Sequence, residues 1–182
     1  DTLTAGIQTA AYTDIDGLAE CHSWVLGTTS GNESDQVTAS IASGTTSSVI
    51  FTATSDHDVA DVISLTPASG DVTVNSSTRV AATVRDRFGN LVTNTSLSLF
   101  IKDSPVDGFL SGDYSNPNPT DSLGPALRTG VTDSTGYISV VYNAPSAAGL
   151  TDVIDADHQL VPGSEVADVA LTTVASGATK LV

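Results

Sequence analysis

The chain has 182 residues, of which 21 are acidic and 6 are basic, and its formal net charge is -15 at pH 7. The carboxylates are spread along the sequence, which disfavours binding to nucleic acid because phosphate recognition requires clustered lysine and arginine. A single cysteine, Cys21, excludes a disulfide within the chain, and no apolar run approaches the roughly 20 residues of a membrane-spanning helix. No window shows the spacing of an amphipathic helix, so the sequence predicts an all-β protein with almost no helix.

The first 59 residues predict four short strands. Alternating or β-branched runs separated by turn residues place these strands at 9–12, 18–26, 37–41 and 49–54. In the second strand, the apolar residues share a core-facing side only if one extra residue at position 22 or 23 forms a β-bulge. These apolar residues are Ala19, Cys21, Trp24 and Leu26.

Residues 60–176 predict a complete β-sandwich. Apolar residues alternate with polar or small ones between closely spaced turns, which is typical of a sandwich of about seven strands. The stretch 103–125 is too rich in proline and glycine for regular structure beyond one short strand around Phe109, and long loops of this kind are often functional. The predicted strands lie at 62–65, 80–84, 97–101, 127–131, 138–142, 153–156 and 166–174.

Two parts of the chain are similar to each other. The opening sequence DTLTAGIQTA returns as DSLGPALRTG from residue 121, and the turn at 13–17 returns at 132–136. Self-similarity at a fixed offset is typical of tandem modules. The chain is therefore interpreted as about one and a half copies of a single module.

This interpretation divides the chain into three parts. Residues 1–59 are the C-terminal half of a module, 60–176 form a complete module, and 177–182 are the first strand of a further module or a donated strand. Half a sandwich exposes a core face and unpaired strand edges, so it aggregates or stays unfolded unless something completes it. The expected partner of residues 1–59 is a neighbouring module, within a longer polypeptide, or an identical subunit that donates strands.

The turns and strands resemble the bacterial immunoglobulin-like repeats of the invasin and intimin type. The similarity rests on an Asp-x-x-Gly-Asn turn at 86–90, on Thr-Asp-x-x-Gly at 13–17 and 132–136, and on the stretch 24–53. It covers nearly the whole chain, but the insertion at 103–125 is longer than the family pattern. The resemblance implies an extracellular immunoglobulin-like β-sandwich in tandem modules, a mechanical spacer from a microbial surface stalk, adhesin or filament.

Three aspartates precede glycines at turn spacing. We expect each aspartate to accept hydrogen bonds from backbone N–H groups while the glycine supplies a positive φ angle, and we prefer this structural role to catalysis. The residues are Asp14 with Gly17, Asp86 with Gly89 and Asn90, and Asp133 with Gly136. The sequence contains no nucleophile elbow, no glycine-rich phosphate loop and no cysteine pair, so an enzyme is not expected.

Acidic residues gather at the junction between the half module and the full one. Asp56, Asp58 and Asp61 could converge on Ca²⁺, a hard cation that takes 6 to 8 oxygen ligands. The alternative is a solvated acidic linker with no cofactor. The overall acidity has the same two interpretations, together with adaptation to salt, and charge alone does not separate them.

The long loop at 103–125 supports a different class of function. Phe109 and Tyr114 are candidate contact residues for a host or surface glycan or protein, since aromatic rings that stack on sugars should be exposed. This alternative is a binding module, whereas the preferred interpretation is a structural one. A third alternative is a filament subunit that polymerises by donor-strand exchange.

Overall fold

The computed structural model describes residues 2–4, 10–21, 23–41, 47–102, 107–112, 127–157 and 167–177. Every regular element within these ranges is a β-strand, which confirms the predicted all-β class. No helix in the described ranges has the length and apolar character needed to cross a membrane. The chain divides into two compact units, residues 1–57 and residues 58–182.

The first unit consists of two separate strand pairs. Strand β1 (Thr2–Thr4) runs parallel to β2 (Ser23–Val25). Strand β3 (Gly31–Ala39) forms an antiparallel hairpin with β4 (Val49–Ser55), and its register shifts between Gly31 and Asp35. None of the residues 10–21, 23–41 and 47–57 is buried, so this part of the unit has no hydrophobic core.

Several expectations for the first unit are wrong. Residues 10–12 and 18–21 are not in strands, and Cys21 is exposed rather than core-facing. Leu26 is also exposed, while Trp24 is half-buried. The alternation of apolar and polar residues gave a wrong prediction here. Such alternation indicates a strand only where a hydrophobic core can bury the apolar side chains. The expected β-bulge at position 22 or 23 depends on residue 22, which lies outside the described residues.

The second unit contains the remaining strands in two sheets. A four-stranded sheet has the order β5-β7-β11-β9, and a five-stranded sheet has the order β10-β8-β12-β13-β6. The strands are β5 (Ala60–Thr66), β6 (Ser69–Thr73), β7 (Ser77–Asp86), β8 (Ser96–Ile101), β9 (Phe109–Gly112), β10 (Leu127–Val131), β11 (Tyr137–Asn143), β12 (Thr151–Asp157) and β13 (Ala167–Val174).

The two sheets enclose one hydrophobic core. Along β7 the buried residues Val80, Ala82 and Val84 alternate with more exposed neighbours, as a strand with one buried face requires. The five-stranded sheet contributes its own inward-facing rows, and the two sets form one contiguous cluster. Prominent members are Leu97, Leu99, Ile138, Val140, Ile154, Val169 and Leu171. This is the predicted immunoglobulin-like β-sandwich.

The first and last strands of the five-stranded sheet, in chain order, lie side by side. Strand β6 pairs in parallel with β13, with Ser69 opposite Ala170 and Thr73 opposite Val174. All the other strand pairs of the second unit are antiparallel in the described residues. Strand β6 is therefore an edge strand held by the last strand of the unit.

Candidate functional site

Three turns share one hydrogen-bonding pattern. In each, the Oδ1 atom of an aspartate accepts hydrogen bonds of 2.8 to 3.1 Å from the N–H groups two and four residues later. The aspartate carbonyl accepts from the glycine N–H, and the glycine φ angles are between 66° and 87°. The aspartates are Asp14, Asp86 and Asp133, and the glycines are Gly17, Gly89 and Gly136. Each of these carboxylates stabilises its own turn, which is a structural role.

The Asp86 turn is the most buried of the three. Its carboxylate also accepts hydrogen bonds from the Nδ2 of Asn90 at 2.8 Å and from the backbone N–H of Asp58 at 3.0 Å. Burial raises the pKa of Asp86, but the hydrogen bonds from Asn90, Asp58 and Phe88 outweigh it and hold the pKa at about 2, against an ordinary 3.8. The ionised carboxylate therefore ties the start of the unit to the turn after β7.

A second buried carboxylate, Asp152, anchors the start of β9. It is 0 % exposed and accepts hydrogen bonds from the Tyr142 hydroxyl at 2.7 Å and from the Gly108 N–H at 2.7 Å. The N–H of Asp107 adds a third bond at 3.1 Å. Burial and the adjacent Asp152 carboxylate raise the pKa of the Tyr142 hydroxyl well above its ordinary value, so it stays a donor.

No other residue fits at position 108. A Cβ atom there would lie 2.6 Å from the Tyr142 ring, 2.7 Å from the backbone oxygen of Asn143 and 2.8 Å from Asp152. Glycine therefore allows the chain to approach the Tyr142–Asp152 pair closely enough for its N–H to reach the carboxylate.

A third group of charged side chains lies on the five-stranded sheet. The Nζ of Lys102, immediately after β8, contacts the Oδ2 of Asp168 on β13. Asp155 on β12 lies between them in the sheet, directly opposite Asp168. Asp155 is 8 % exposed, and its Oδ1 atom has no hydrogen-bond partner.

The junction acids belong to both units. Asp56 lies in the first unit, where its carboxylate accepts a hydrogen bond from the backbone N–H of His57. Asp58 lies in the second unit, where its carboxylate pairs with Arg87 at 2.9 Å, and Asp61 is exposed on β5. Within the described ranges, no group of three or more His, Cys, Asp or Glu side chains is arranged to hold a metal ion. Calcium at the junction stays a prediction.

One of the two candidate glycan-contact residues is described. Phe109 begins β9, at the edge of the four-stranded sheet, and is 49 % exposed. Tyr114 lies outside the described residues. The proposal of an aromatic binding surface stays a prediction.

Apolar side chains are exposed on the β3–β4 hairpin of the first unit. Three consecutive residues of β4, Val49, Ile50 and Phe51, are each more than half exposed. Because successive side chains of a strand point to opposite faces, both faces of this hairpin carry exposed apolar surface.

Sequence reasoning identified the turn aspartates but not Tyr142, Asp152, Lys102 or Asp168. The turn residues are close together in sequence, whereas each of the missed pairs joins different strands. One signal was available for Asp152, because it alternates with the core residues Ile154 and Ala156 on the inward side of the predicted strand. A carboxylate at such a position requires hydrogen-bond donors.

Comparisons with known proteins find similarity at the level of solved structures. No protein-family model matches the sequence, and no curated protein matches it. The structure of domains 1–6 of the surface layer protein SbsC is 17% identical over 72% of this chain and 15% of that chain, with a TM-score of 0.46. Domains 4–9 of SbsC give 14% identity over 93% of this chain and 25% of that chain, with a TM-score of 0.47.

An adhesin is also among the similar structures. The Yersinia pseudotuberculosis adhesin InvE is 12% identical over 76% of this chain and 39% of that chain, with a TM-score of 0.42. The chain spans between 15% and 59% of the length of the first three SbsC structures that it matches. Similarities of this size do not identify a function.

Proposed function

We propose that the chain is a structural segment of an extracellular microbial surface stalk, adhesin or filament, in which its sandwich acts as a mechanical spacer. The observation that carries this proposal is the parallel pairing of β6 with β13. These strands lie near the two ends of the second unit, one following β5 and the other ending at Val174. Tension applied to the two ends of the unit reaches this ladder through β5, which pairs with β7 in the other sheet.

The direction of pairing decides how this ladder responds to tension. Pulling the start of β6 and the end of β13 apart slides two parallel strands along each other, so the hydrogen bonds between them are loaded together. In a hairpin pulled from its open end, by contrast, the bonds would break one after another. Each bond has a modest net value of about 0.5 to 1.5 kcal/mol, so resistance to tension depends on loading several at once.

A pair of proline variants tests this mechanism. The N–H of Val74 donates to the carbonyl of Val174 at 2.9 Å, which places the N–H groups of alternate residues of β6, including Gly70, toward β13. Gly70→Pro removes a bond of the ladder, and Asp71→Pro removes an N–H that points away from it. In single-molecule pulling, Gly70→Pro should lower the unfolding force clearly more than Asp71→Pro.

The two substitutions are a matched pair because both place proline on the same edge strand. A Cβ at position 70 would meet nothing within 4 Å, so the proline differs at this position through its ring nitrogen, which faces β13. Equal unfolding forces in the two variants would contradict a mechanical role for the β6–β13 ladder.

The exposed hairpin of the first unit supports an assembled state. With no buried residue among residues 10–21, 23–41 and 47–57, this unit gains little stability by itself. We propose that a neighbouring immunoglobulin-like module or an identical subunit covers it, and that strand donation between subunits is the route in the second case. An enzymatic role is not part of the proposal, since the buried carboxylates Asp86 and Asp152 are engaged in holding loops.

Calcium is the cofactor that the junction acids would take. If Asp56, Asp58 and Asp61 hold Ca²⁺, removing calcium should lower the thermal midpoint of the protein, because the ion binds the folded state. The measurement is thermal unfolding with added calcium and with a chelator, and Asp61→Asn is the matched variant, which should lose the response. An unchanged midpoint would exclude a stabilising calcium ion and leave a solvated linker.

The half-exposed ring of Phe109 favours a second candidate function. A module that binds a glycan or a receptor would present this ring at the sheet edge. This function and the mechanical one are compatible, since the edge formed by β9 is on the sheet opposite to β6 and β13.

A further inference from the structure

The Lys102, Asp155 and Asp168 side chains form a group that the mechanical function does not use. The strand pairing places these side chains on one face of the five-stranded sheet. Asp155 on β12 lies directly opposite Asp168 on β13 and directly opposite Phe100 on β8. Lys102 follows Phe100 by two residues, and its N–H donates to the carbonyl of Val153 at 2.9 Å. The face is the outer one, since Ile101, Ile154 and Val169 alternate with these residues and point into the core.

The state of Asp155 is unusual for a carboxyl group on this side of a sheet. It is 8 % exposed although it faces away from the core, and its Oδ1 atom has no hydrogen-bond partner. Burial raises the pKa of Asp155, and the negative charge of Asp168 raises it further, with Lys102 acting in the opposite direction. These effects favour the protonated form of Asp155, which faces Asp168 across the strand pair.

We propose that Lys102 and Asp168 are joined by an intramolecular amide bond, formed next to the buried carboxyl group of Asp155, which acts as the general acid. The Lys102 ammonium first passes one proton to the Asp168 carboxylate that it contacts. The neutral Nζ atom then attacks the Cγ atom of Asp168, while the Asp155 carboxyl donates a hydrogen bond to the other Asp168 oxygen. The Nζ–Cγ bond forms, one Cγ–O bond breaks, and the oxygen leaves as water with two protons. An ammonium and a carboxylate thereby give one amide and one water molecule, and no other reagent is consumed.

The folded sheet supplies proximity and an adjacent acid, which an amine and a carboxylate do not have when they are free in water. The amine and the carboxylate are held in direct contact, and well-oriented groups reach effective concentrations of about 10⁵ to 10⁸ M. A buried acid beside the reacting carbonyl contributes a further factor, typically about 10² to 10⁴ in rate. Both reacting side chains are partly exposed, at 38% for Lys102 and 47% for Asp168, so water can leave.

The bond would connect β8 to β13 past the intervening strand β12. Residues 103–167 would then lie within a covalently closed loop, which includes β9 to β12. This inference goes beyond the proposed function and does not rest on it, because the amide would form in the folded sheet whether or not the protein carries tension.

Intact mass of the full chain, measured after denaturation, tests the proposal. We expect a mass lower than that of the sequence by one water molecule, and a branched tryptic peptide that contains Lys102 joined to Asp168. Trypsin should fail to cleave after Lys102. Lys102→Arg keeps the ion pair with Asp168 but cannot form the amide at neutral pH, and it should show the full mass, as should Asp168→Ala.

The Lys102→Arg variant also distinguishes amide formation from another reaction that releases water. Asp16-Gly17 and Asp107-Gly108 can lose water by cyclisation of the aspartate, but that loss would persist in Lys102→Arg, whereas loss through the amide would not. Equal numbers of lost water molecules in the wild type and in Lys102→Arg, together with a cleavable Lys102, would overturn the proposal.

A third variant tests whether Asp155 accelerates formation of the amide bond between Lys102 and Asp168. In Asp155→Asn the contact between Lys102 and Asp168 can persist without the acid, so the rate of amide formation should fall by about 10² to 10⁴. The readout is the cross-linked fraction over time in protein refolded after synthesis. Cross-linking at the wild-type rate would remove Asp155 from the mechanism and leave the bond itself in place.

Discussion

The single residue Asp86 connects the start of the second unit, at Asp58, to the turn after β7. Its carboxylate receives hydrogen bonds from three backbone N–H groups and from one side chain, and the residue is only 2 % exposed. The same spacing occurs at Asp14, where the turn is exposed and only its own backbone donates. Burial, rather than the motif, makes the difference between them.

We expect Asp86→Ala to lower the free energy of unfolding by about 2 to 3 kcal/mol at pH 7, because buried donors lose a charged acceptor. Asp133→Ala, the matched control, removes a less buried turn carboxylate from the same unit and should lower it by less, about 1 kcal/mol. Urea denaturation at pH 7 measures both. Equal losses in the two variants would mean that the motif, and not its burial, determines stability.

The pH dependence of the Asp86 contribution has a defined sign. The pKa of Asp86 is about 2 in the folded protein and 3.8 ordinarily, so the carboxylate contributes its full stabilisation above pH 3.8. That contribution is lost as the pH falls from 3.8 through 2. The difference between wild type and Asp86→Ala should therefore shrink over this interval.

At the scale of elements, β9 depends on a side chain from another strand. It is four residues long, lies at a sheet edge, and pairs with β11 alone. The hydrogen bonds from the Asp107 and Gly108 N–H groups to Asp152 hold its first residues in place. A short edge strand of this kind gains its order from such an anchor.

Replacing Asp152 tests the anchor. In Asp152→Ala, the amide protons of residues 107–112 should exchange with solvent at least about tenfold faster, since their opening loses more than 1.4 kcal/mol of stabilisation. Amide exchange followed by NMR measures this, with Asp157→Ala at the more exposed end of β12 as the control. Uniform acceleration across β7 and β11 would contradict a local role.

The strands that sequence analysis predicted correctly are those with a strong alternating pattern and a core to receive it. Strands β7, β8 and β11 have this pattern, with Val80, Leu97 and Ile138 among the residues that identify them. The sequence did not predict strand β6, because only Val72 among its five residues is a large apolar residue. Its pairing with β13 depends on the closed fold and has no local signal.

At the scale of the whole molecule, stability is concentrated in the second unit. Every buried residue among the described parts of the chain belongs to residues 58–182. The exposed apolar residues on β4, by contrast, belong to the first unit. The second unit therefore has its own hydrophobic core for folding, whereas the first unit needs a partner to cover its apolar residues.

Fragments corresponding to the two units should behave differently. We expect residues 58–182 alone to unfold cooperatively, with a thermal midpoint within a few degrees of that of the full chain, because the core is intact. Residues 1–57 alone should show no cooperative transition. Circular dichroism during heating measures both, and a sharp transition in the shorter fragment would show that it builds a core without a partner.

The pairing of β6 with β13 also determines when the second unit can finish folding. The two strands lie about a hundred residues apart in sequence, so the contact between them closes late and contributes to a slow, topologically demanding fold. While the chain is being synthesised or exported from its N-terminus, β6 has no neighbour until residues 167–174 emerge. Until then the edge of β12 also remains open to pairing with a strand of another chain.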